Sequence, residues 1–204
     1  MKKQPHNHIG SLTFSSRRTA TLGKGSATLI SPNLILTAAH NLFNWKTGEF
    51  HFDFRFYPGV KGPLKDAYEV DDLFVNGKYM LKPCIANDYA ILKLKEKVPT
   101  DNFMPLCPDA NITNEAILTV CGYPGHNNYK PINLQGQLSS SQFGLSKTGR
   151  FLEVRNEVEL LHQVSSLEGQ SGTSIILQES PEALPKIVGI HKGGVRTKIK
   201  GEKK

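Results

Sequence analysis

Short stretches of alternating apolar and polar residues run through this chain, separated by glycine, proline and asparagine. The clearest is residues 49–57 (EFHFDFRFY), in which Phe50, Phe52, Phe54 and Phe56 alternate with polar residues. This period of two predicts one half-buried strand. Comparable runs occupy residues 25–31, 34–39, 88–95, 115–123, 151–160, 172–178 and 185–191. A helical period is almost absent, so the pattern predicts an all-β fold, either a sandwich or a pair of barrels.

The length of 204 residues fits a globular protein of one domain, or of two small subdomains that share an interface. The net charge of +7 is concentrated at the ends, with six Lys or Arg and no acid in residues 1–48 and six basic residues in the last thirteen. Basic ends indicate either an anionic partner such as nucleic acid or solvated termini. Because no aromatic residues are interleaved with them, we expect solvated termini and no nucleic-acid partner.

No transmembrane segment, signal peptide or metal motif is visible in the sequence. No run approaches eighteen apolar residues, and the start, MKKQPHNHIG, lacks an apolar stretch. The three cysteines, Cys84, Cys107 and Cys121, include no C-x-x-C pair, which disfavours a zinc site, and they allow at most one disulfide. We therefore expect buried free thiols, no metal and no cofactor.

Three separate stretches carry residues suited to nucleophilic catalysis. His40 follows the run at 34–39, Asp88 begins the run at 88–95, and Ser171 lies between Gly169 and Gly172. A serine hydroxyl must lose its proton as it attacks; an imidazole can accept that proton while a carboxylate orients the ring. The flanking glycines would let backbone amides face a developing oxyanion. Each signal alone is weak, but the order His, Asp, Ser, with separations of 48 and 83 residues, is more telling.

The stretches TAAH (37–40), NDYAILKL (87–94) and GQSG (169–172) together resemble the trypsin-like, chymotrypsin-fold serine endopeptidases. The resemblance extends over about residues 9–194. Two further stretches, CGYPGH (121–126) and IVGIHKGG (187–194), look more specifically like the glutamyl-endopeptidase branch. The combination of motifs, rather than any one of them, carries the family assignment.

The resemblance implies a single peptidase domain over residues 1–204, built of two six-stranded antiparallel barrels with the active site in the cleft between them. The N-terminal barrel would occupy about residues 9–110 and the C-terminal barrel about residues 111–204. By motif matching, His40 is the general base, Asp88 orients it and Ser171 is the nucleophile. The amides of Gly169 and Ser171 would form the oxyanion hole. The implied partner is a peptide or protein substrate, and we expect a monomer that the family would place outside the cell.

Residues near the nucleophile would select the substrate side chain before the cut bond. The resemblance puts Ser165, Ser166 and His191 around this pocket. It also implies that the substrate pairs as an added strand with the backbone of Lys192, Gly193 and Gly194. No acidic residue is among them, which argues against a preference for Lys or Arg. His191 and Ser166 could donate hydrogen bonds to a carboxylate, so a preference for Glu or Asp is expected. The alternative role of His191 is that of a strand-end histidine with a structural partner.

Several positions depart from the digestive members of the family. Gln170 stands where they have an Asp that pairs with a newly cut N-terminus, so that activation salt bridge cannot form. Asn41, not Cys, follows His40, as in the disulfide-poor branches. Only ten residues follow Gly194, so we expect the usual last strand and terminal helix to be missing.

Three alternatives to a serine endopeptidase stay open. The first is a catalytically silent homologue that keeps the cleft and binds peptides, which the short C-terminus favours and the intact triad disfavours. The second is an anionic-surface binder acting through the basic ends. A lipase-type nucleophile elbow is the weakest, because Gly-x-Ser-x-Gly fails at Thr173 and the order of the triad differs.

Overall fold

The fold is described from a computed structural model of the chain. The described residues are 8–16, 22–59, 67–101, 103–113, 116–124, 147–155, 159–162, 164, 168–180 and 182–193. Within these ranges nearly all regular structure is strand, and one helix, α1 (Gly77–Leu81), is a single short turn. The predicted all-β class is therefore confirmed.

The described residues of the first part of the chain form eight strands: β1 (Ile9–Ser15), β2 (Leu22–Ser31), β3 (Leu34–Thr37), β4 (Phe43–Asn44), β5 (Glu49–Phe50), β6 (Phe52–Pro58), β7 (Tyr68–Val75) and β8 (Ala90–Leu94). Six of them form a closed antiparallel barrel in the order β1-β2-β3-β8-β7-β6. The two-residue strands β4 and β5 pair with each other. Closure leaves the barrel no free edge, and its interior is filled by apolar side chains.

The prediction of one continuous strand over residues 49–57 is wrong. The segment is divided between β5 and β6, and the register of β6 against β1 shifts at this point. Asp53 lies at the shift with φ of 52°, a left-handed conformation that interrupts the alternation of faces. As a result Phe54 and Phe56 are buried in the barrel, whereas Phe50 and Phe52 are exposed.

The second part of the described chain forms a five-stranded antiparallel sheet in the order β11-β10-β9-β12-β13. Its strands are β9 (Ile117–Val120), β10 (Lys147–Arg155), β11 (Glu159–His162), β12 (Ser174–Leu177) and β13 (Lys186–Ile190). Of the two predicted six-stranded barrels, the first is confirmed. In place of the second, the described residues form this five-stranded sheet, and a closed barrel is not seen among them.

A buried apolar cluster joins the barrel to the sheet. Ile9 and Leu36 come from the barrel, while Ile176 and Ile187 come from β12 and β13. Burial of these side chains is favourable by roughly 25 cal/mol per Å² of apolar surface. The cluster holds the end of β3 against the segment that enters β12, and the candidate catalytic residues lie at these two places.

All three cysteines, Cys84, Cys107 and Cys121, are free thiols, but only one of them is buried. Burial raises the pKa of Cys121 to about 12, so its thiol stays protonated. The expectation of three buried thiols is met at Cys121 alone, because Cys84 and Cys107 are half-buried. Among the described residues, no helix is long and apolar enough to cross a membrane.

Candidate active site

His40 and Asp88 meet because their strands are paired. Strands β3 and β8 run antiparallel with Thr37 opposite Ala90, so the residues after β3 and before β8 share one end of the barrel. His40 lies there in a short 3-10 turn (Ala39–Asn41), and Asp88 follows another (Ile85–Asn87). The His40 Nδ1 lies 2.9 Å from Asp88 Oδ2, and the His40 backbone N–H donates to Asp88 Oδ1 at 2.9 Å.

Both oxygens of the Asp88 carboxylate are therefore engaged by one residue. The Asp88 side chain is 1% exposed, whereas that of His40 is 32% exposed, so the imidazole reaches solvent and the carboxylate does not. Burial alone would raise the pKa of Asp88. The hydrogen bond and charge of His40, its backbone N–H and the Lys192 ammonium, 3.7 Å from Oδ2, outweigh burial and hold this pKa below its ordinary value. Asp88 is consequently an anion at neutral pH, fit to orient the ring.

Ser171 lies in a tight turn just before β12. Two glycines shape this turn, with φ of 92° at Gly169 and 91° at Gly172, a region that other residues rarely adopt. At Gly172 space is also limiting, because an added Cβ would lie 2.2 Å from Thr37 Oγ1. The Ser171 carbonyl accepts from the Ser26 N–H at 2.9 Å, which ties the turn to the barrel.

The hydroxyl of Ser171 donates to the Lys192 carbonyl at 2.8 Å. Among the described side chains, Ser171 and His40 share no hydrogen bond, although both lie at the junction of barrel and sheet. The backbone N–H groups of Gly169 and Ser171 donate to no acceptor within the described part of the chain. Two amides beside a serine hydroxyl are the donors that a developing oxyanion requires.

His191 lies at the end of β13 and is 3% exposed. Its backbone is bonded to the turn of Ser171, since the His191 N–H donates to the Thr173 carbonyl and the Gly172 N–H donates to the His191 carbonyl, both at 2.7 Å. Burial, followed by the charges of His162 and His40, lowers the pKa of His191 to about 4. The imidazole is therefore neutral at physiological pH.

His162, on β11, packs against His191. The ring centroids are 5.5 Å apart, at an interplanar angle of 43°. His162 Nδ1 accepts the backbone N–H of Val164 at 3.1 Å, which leaves its Nε2 as the donor of the neutral ring. Burial lowers the pKa of His162 also. His162 is thus a strand histidine with a backbone partner, and nothing in the sequence pattern signals its contact with His191.

A cavity of about 670 Å³ extends from these histidines to Asp88. Its size is in the range of small-ligand and peptide side-chain pockets. Both halves of the fold contribute walls, and the lining includes Ile85, Asp88, Tyr89, Leu160, His162, His191 and Lys192. Lys192 and Gly193 are exposed at its edge. Three predicted substrate-binding residues, Ser165, Ser166 and Gly194, lie outside the described residues.

Because His191 is buried in its neutral form, the folded protein is expected to lose stability as the pH falls. The unfolded chain binds a proton at His191 near pH 6.5, whereas the folded chain binds it near pH 4, so the free energy of unfolding falls as the pH drops through this window. Relative to His191→Phe, the wild type should lose about 2–3 kcal/mol between pH 7.5 and pH 4.5. Urea unfolding of both proteins at the two pH values measures the difference. An equal pH dependence in both would contradict a neutral, buried His191.

Comparison with known families and structures agrees with the fold. The trypsin-like peptidase domain matches residues 25–180, more than half of the chain. No curated protein matches the sequence. The matched residues include all three candidate catalytic residues, His40, Asp88 and Ser171.

Several solved structures are similar to the whole described fold. A Glu endopeptidase in complex with MPD has a TM-score of 0.72 and 22% identity, covering 94% of this chain and 80% of its own. The thermostable serine protease AL20 from an extremophilic microorganism has a TM-score of 0.65 and 19% identity, covering 94% and 87%. Protease Anisep from Arthrobacter nicotinovorans has a TM-score of 0.62 and 14% identity, covering 96% and 88%. At these identities the likeness establishes the chymotrypsin-like fold.

Proposed function

Because the chain belongs to the trypsin-like peptidase domain family, we propose that it is a serine endopeptidase acting through an acyl-enzyme on Ser171. The observation that carries the proposal is the His40–Asp88 pair. A solvent-reaching imidazole held at both oxygens of a buried carboxylate is the arrangement that a general base needs. The glycine-flanked serine, on the segment that the barrel holds through Ser26, supplies the nucleophile.

In the proposed acylation, Ser171 Oγ attacks the scissile carbonyl carbon and its proton passes to His40 Nε2. Asp88 accepts a hydrogen bond from the His40 Nδ1–H and stabilises the imidazolium that forms. The hydroxyl first turns away from the Lys192 carbonyl, to which it donates at 2.8 Å in the free protein. Hydrogen bonds between catalytic groups are often formed only once substrate is bound.

The negative charge that develops on the carbonyl oxygen would be met by the amides of Gly169 and Ser171. Removal of one such donor typically costs roughly 10²- to 10³-fold in rate. When the tetrahedral adduct collapses, His40 gives its proton to the departing amine, and the acyl group stays on Ser171. A water molecule activated by the same imidazole then hydrolyses the ester, which restores the hydroxyl.

The substrate would lie as an added strand along Lys192, Gly193 and Gly194, with its side chain before the cut bond directed toward His191. A neutral His191 ring can donate a single hydrogen bond to a Glu or Asp carboxylate, and Ser166 would supply a second donor. A buried carboxylate beside the ring also favours its protonation, so an acidic substrate side chain and a proton bind together. The proposed preference is therefore for Glu, with Asp second.

This specificity predicts the outcome of profiling a peptide library with the purified chain. Cleavage should follow Glu, with kcat/KM for Glu exceeding that for Gln by about 10- to 100-fold, since a hydrogen bond to a charged group contributes roughly 1.5–3 kcal/mol. The ratio should grow as the pH falls from about 8 to about 5. His191→Ala should remove most of the ratio while cleavage of other sequences continues.

Two results would separate the parts of the proposal. If wild type and His191→Ala showed the same Glu-to-Gln ratio, the pocket role of His191 would be lost and the endopeptidase assignment would stand. If no peptide in the library were cut by folded wild-type protein, the endopeptidase assignment itself would fail.

A peptide-binding module without hydrolysis is the second candidate function. The observation in its favour is the hydrogen bond from Ser171 to the Lys192 carbonyl, which directs the hydroxyl away from the base. This function predicts that library peptides are retained by the wild type and recovered uncut. Retention without cleavage at neutral pH would favour it over the protease.

A further inference from the structure

The side chain of Asn41 connects the turn of the candidate base to the turn of the candidate nucleophile. Asn41 directly follows His40 in the same 3-10 turn and is 3% exposed. Its Nδ2 donates to the Ser171 carbonyl at 3.0 Å and to Thr37 Oγ1 at 3.0 Å. Both N–H groups of this amide are therefore used, one within the barrel and one across to the segment before β12.

The surrounding residues are shaped to admit this amide. At Gly25, on β2, an added Cβ would lie 2.5 Å from Asn41 Nδ2, and at Gly172 it would lie 2.7 Å from the same atom. Glycine at these two positions leaves the space that the amide occupies. The Ser171 carbonyl thus receives two donors from the barrel, the Asn41 amide and the Ser26 N–H.

We propose that Asn41 is a positioning residue that fixes the nucleophile turn relative to His40. The inference rests on the proposed protease function and adds a residue to it. The base lies on the barrel and the nucleophile on the segment leading into the sheet, so their separation depends on bonds that cross between the two. The Asn41 amide makes such a bond at the carbonyl of Ser171, the residue whose hydroxyl it positions. A displacement of about 1 Å between reacting groups can lower the rate by roughly 10²-fold.

Asn41→Leu tests the proposal, because leucine has a similar shape and no donor. We expect kcat per active site, with sites counted by a fluorophosphonate probe, to fall by about 10- to 100-fold and KM to change by less than about threefold. The carbonyl of Ser171 keeps its bond from Ser26, so the turn persists but is less constrained. A purely structural role would lower Tm and the number of active sites and leave kcat per site unchanged.

Thr28→Val is the matched control. It removes the Thr28 hydroxyl, which accepts from the Ser174 N–H at 3.2 Å and from the Ser174 hydroxyl at 2.7 Å across the same junction, and it leaves both bonds of the Asn41 amide in place. We expect Tm to fall as much as in Asn41→Leu, with kcat per site within about twofold of the wild type. Equal losses of kcat in both variants would overturn the proposal, because general loosening of the junction would then explain them.

Gly25→Ala displaces the amide without removing it and covers the case in which Asn41→Leu does not fold. The new Cβ would contact the movable end of the Asn41 side chain, so the backbone of β2 can stay in place. We expect the same fall in kcat per site. Wild-type kcat in Asn41→Leu and Gly25→Ala, or in whichever of the two folds, would overturn the role of Asn41 and leave the protease assignment intact. An inactive, unlabelled wild type would overturn the protease assignment, and this inference with it.

Discussion

Ser171→Ala is expected to lower kcat by about 10⁵- to 10⁶-fold, with KM changed by only a few-fold. In the proposed mechanism Ser171 Oγ forms the covalent bond of the acyl-enzyme, and the hydroxyl of nearby Thr173 is buried and donates to the Cys121 carbonyl. The remaining rate would come from the amides of Gly169 and Ser171 and from substrate binding, which do not need the hydroxyl. Steady-state hydrolysis of a chromogenic peptide measures the loss.

Ser180→Ala is the control for that result. Ser180 is exposed, and its hydroxyl accepts the N–H of Ala183 in a surface turn. The same substitution there should leave kcat within about twofold of the wild type. If Ser171→Ala kept more than about a hundredth of wild-type turnover, nucleophilic catalysis by Ser171 would be contradicted.

His40→Ala is expected to lower kcat by about 10⁴- to 10⁶-fold, because the hydroxyl proton would then have no acceptor. Asp88→Asn keeps the shape of the pair but no longer enforces the required tautomer of His40, and should cost about 10⁴-fold. The His40 N–H and Nδ1 both meet the Asp88 carboxylate at 2.9 Å, so the two losses are expected to be far from additive in the double variant.

His51→Ala is the matched control for the loss of an imidazole. His51 stacks on Phe14 at a centroid distance of 4.7 Å and lines a different cleft. Its removal should lower Tm slightly and leave kcat close to that of the wild type. A similar fall in kcat for His40→Ala and His51→Ala would indicate damage to the barrel rather than loss of a base.

The contact between His40 and Asp88 is predicted through the family resemblance, and the pairing of their strands explains why they meet. The apolar runs at 34–39 and 88–95 give two strands, and a histidine after one with an aspartate before the other places both at one end when the strands pair antiparallel. The same resemblance assigns Ser171 as the third residue, which stays a prediction. Each of the three candidate residues lies close to a strand that the hydrophobic pattern identifies.

Contacts between distant segments could not be predicted in this way. The bond from Asn41 to Ser171 joins residues 130 positions apart, and the packing of His162 on His191 joins β11 to β13, which are not neighbours in the sheet. The period of two also failed at Asp53, where a left-handed residue and a register shift reversed the face of the phenylalanines. The first depends on how the barrel meets the sheet, the second on how distant strands of one sheet approach each other, and the third on one backbone angle. The hydrophobic pattern determines none of these.

Labelling with an active-site fluorophosphonate, followed by peptide mapping in the mass spectrometer, tests the central claim most directly. The probe phosphonylates a serine only where a base and an oxyanion hole activate it. The folded wild type should take up one probe molecule, located on Ser171, and the labelling should be lost in Ser171→Ala and strongly slowed in His40→Ala. Labelling that survives Ser171→Ala, or a folded wild type that does not react, would contradict a serine endopeptidase acting through Ser171.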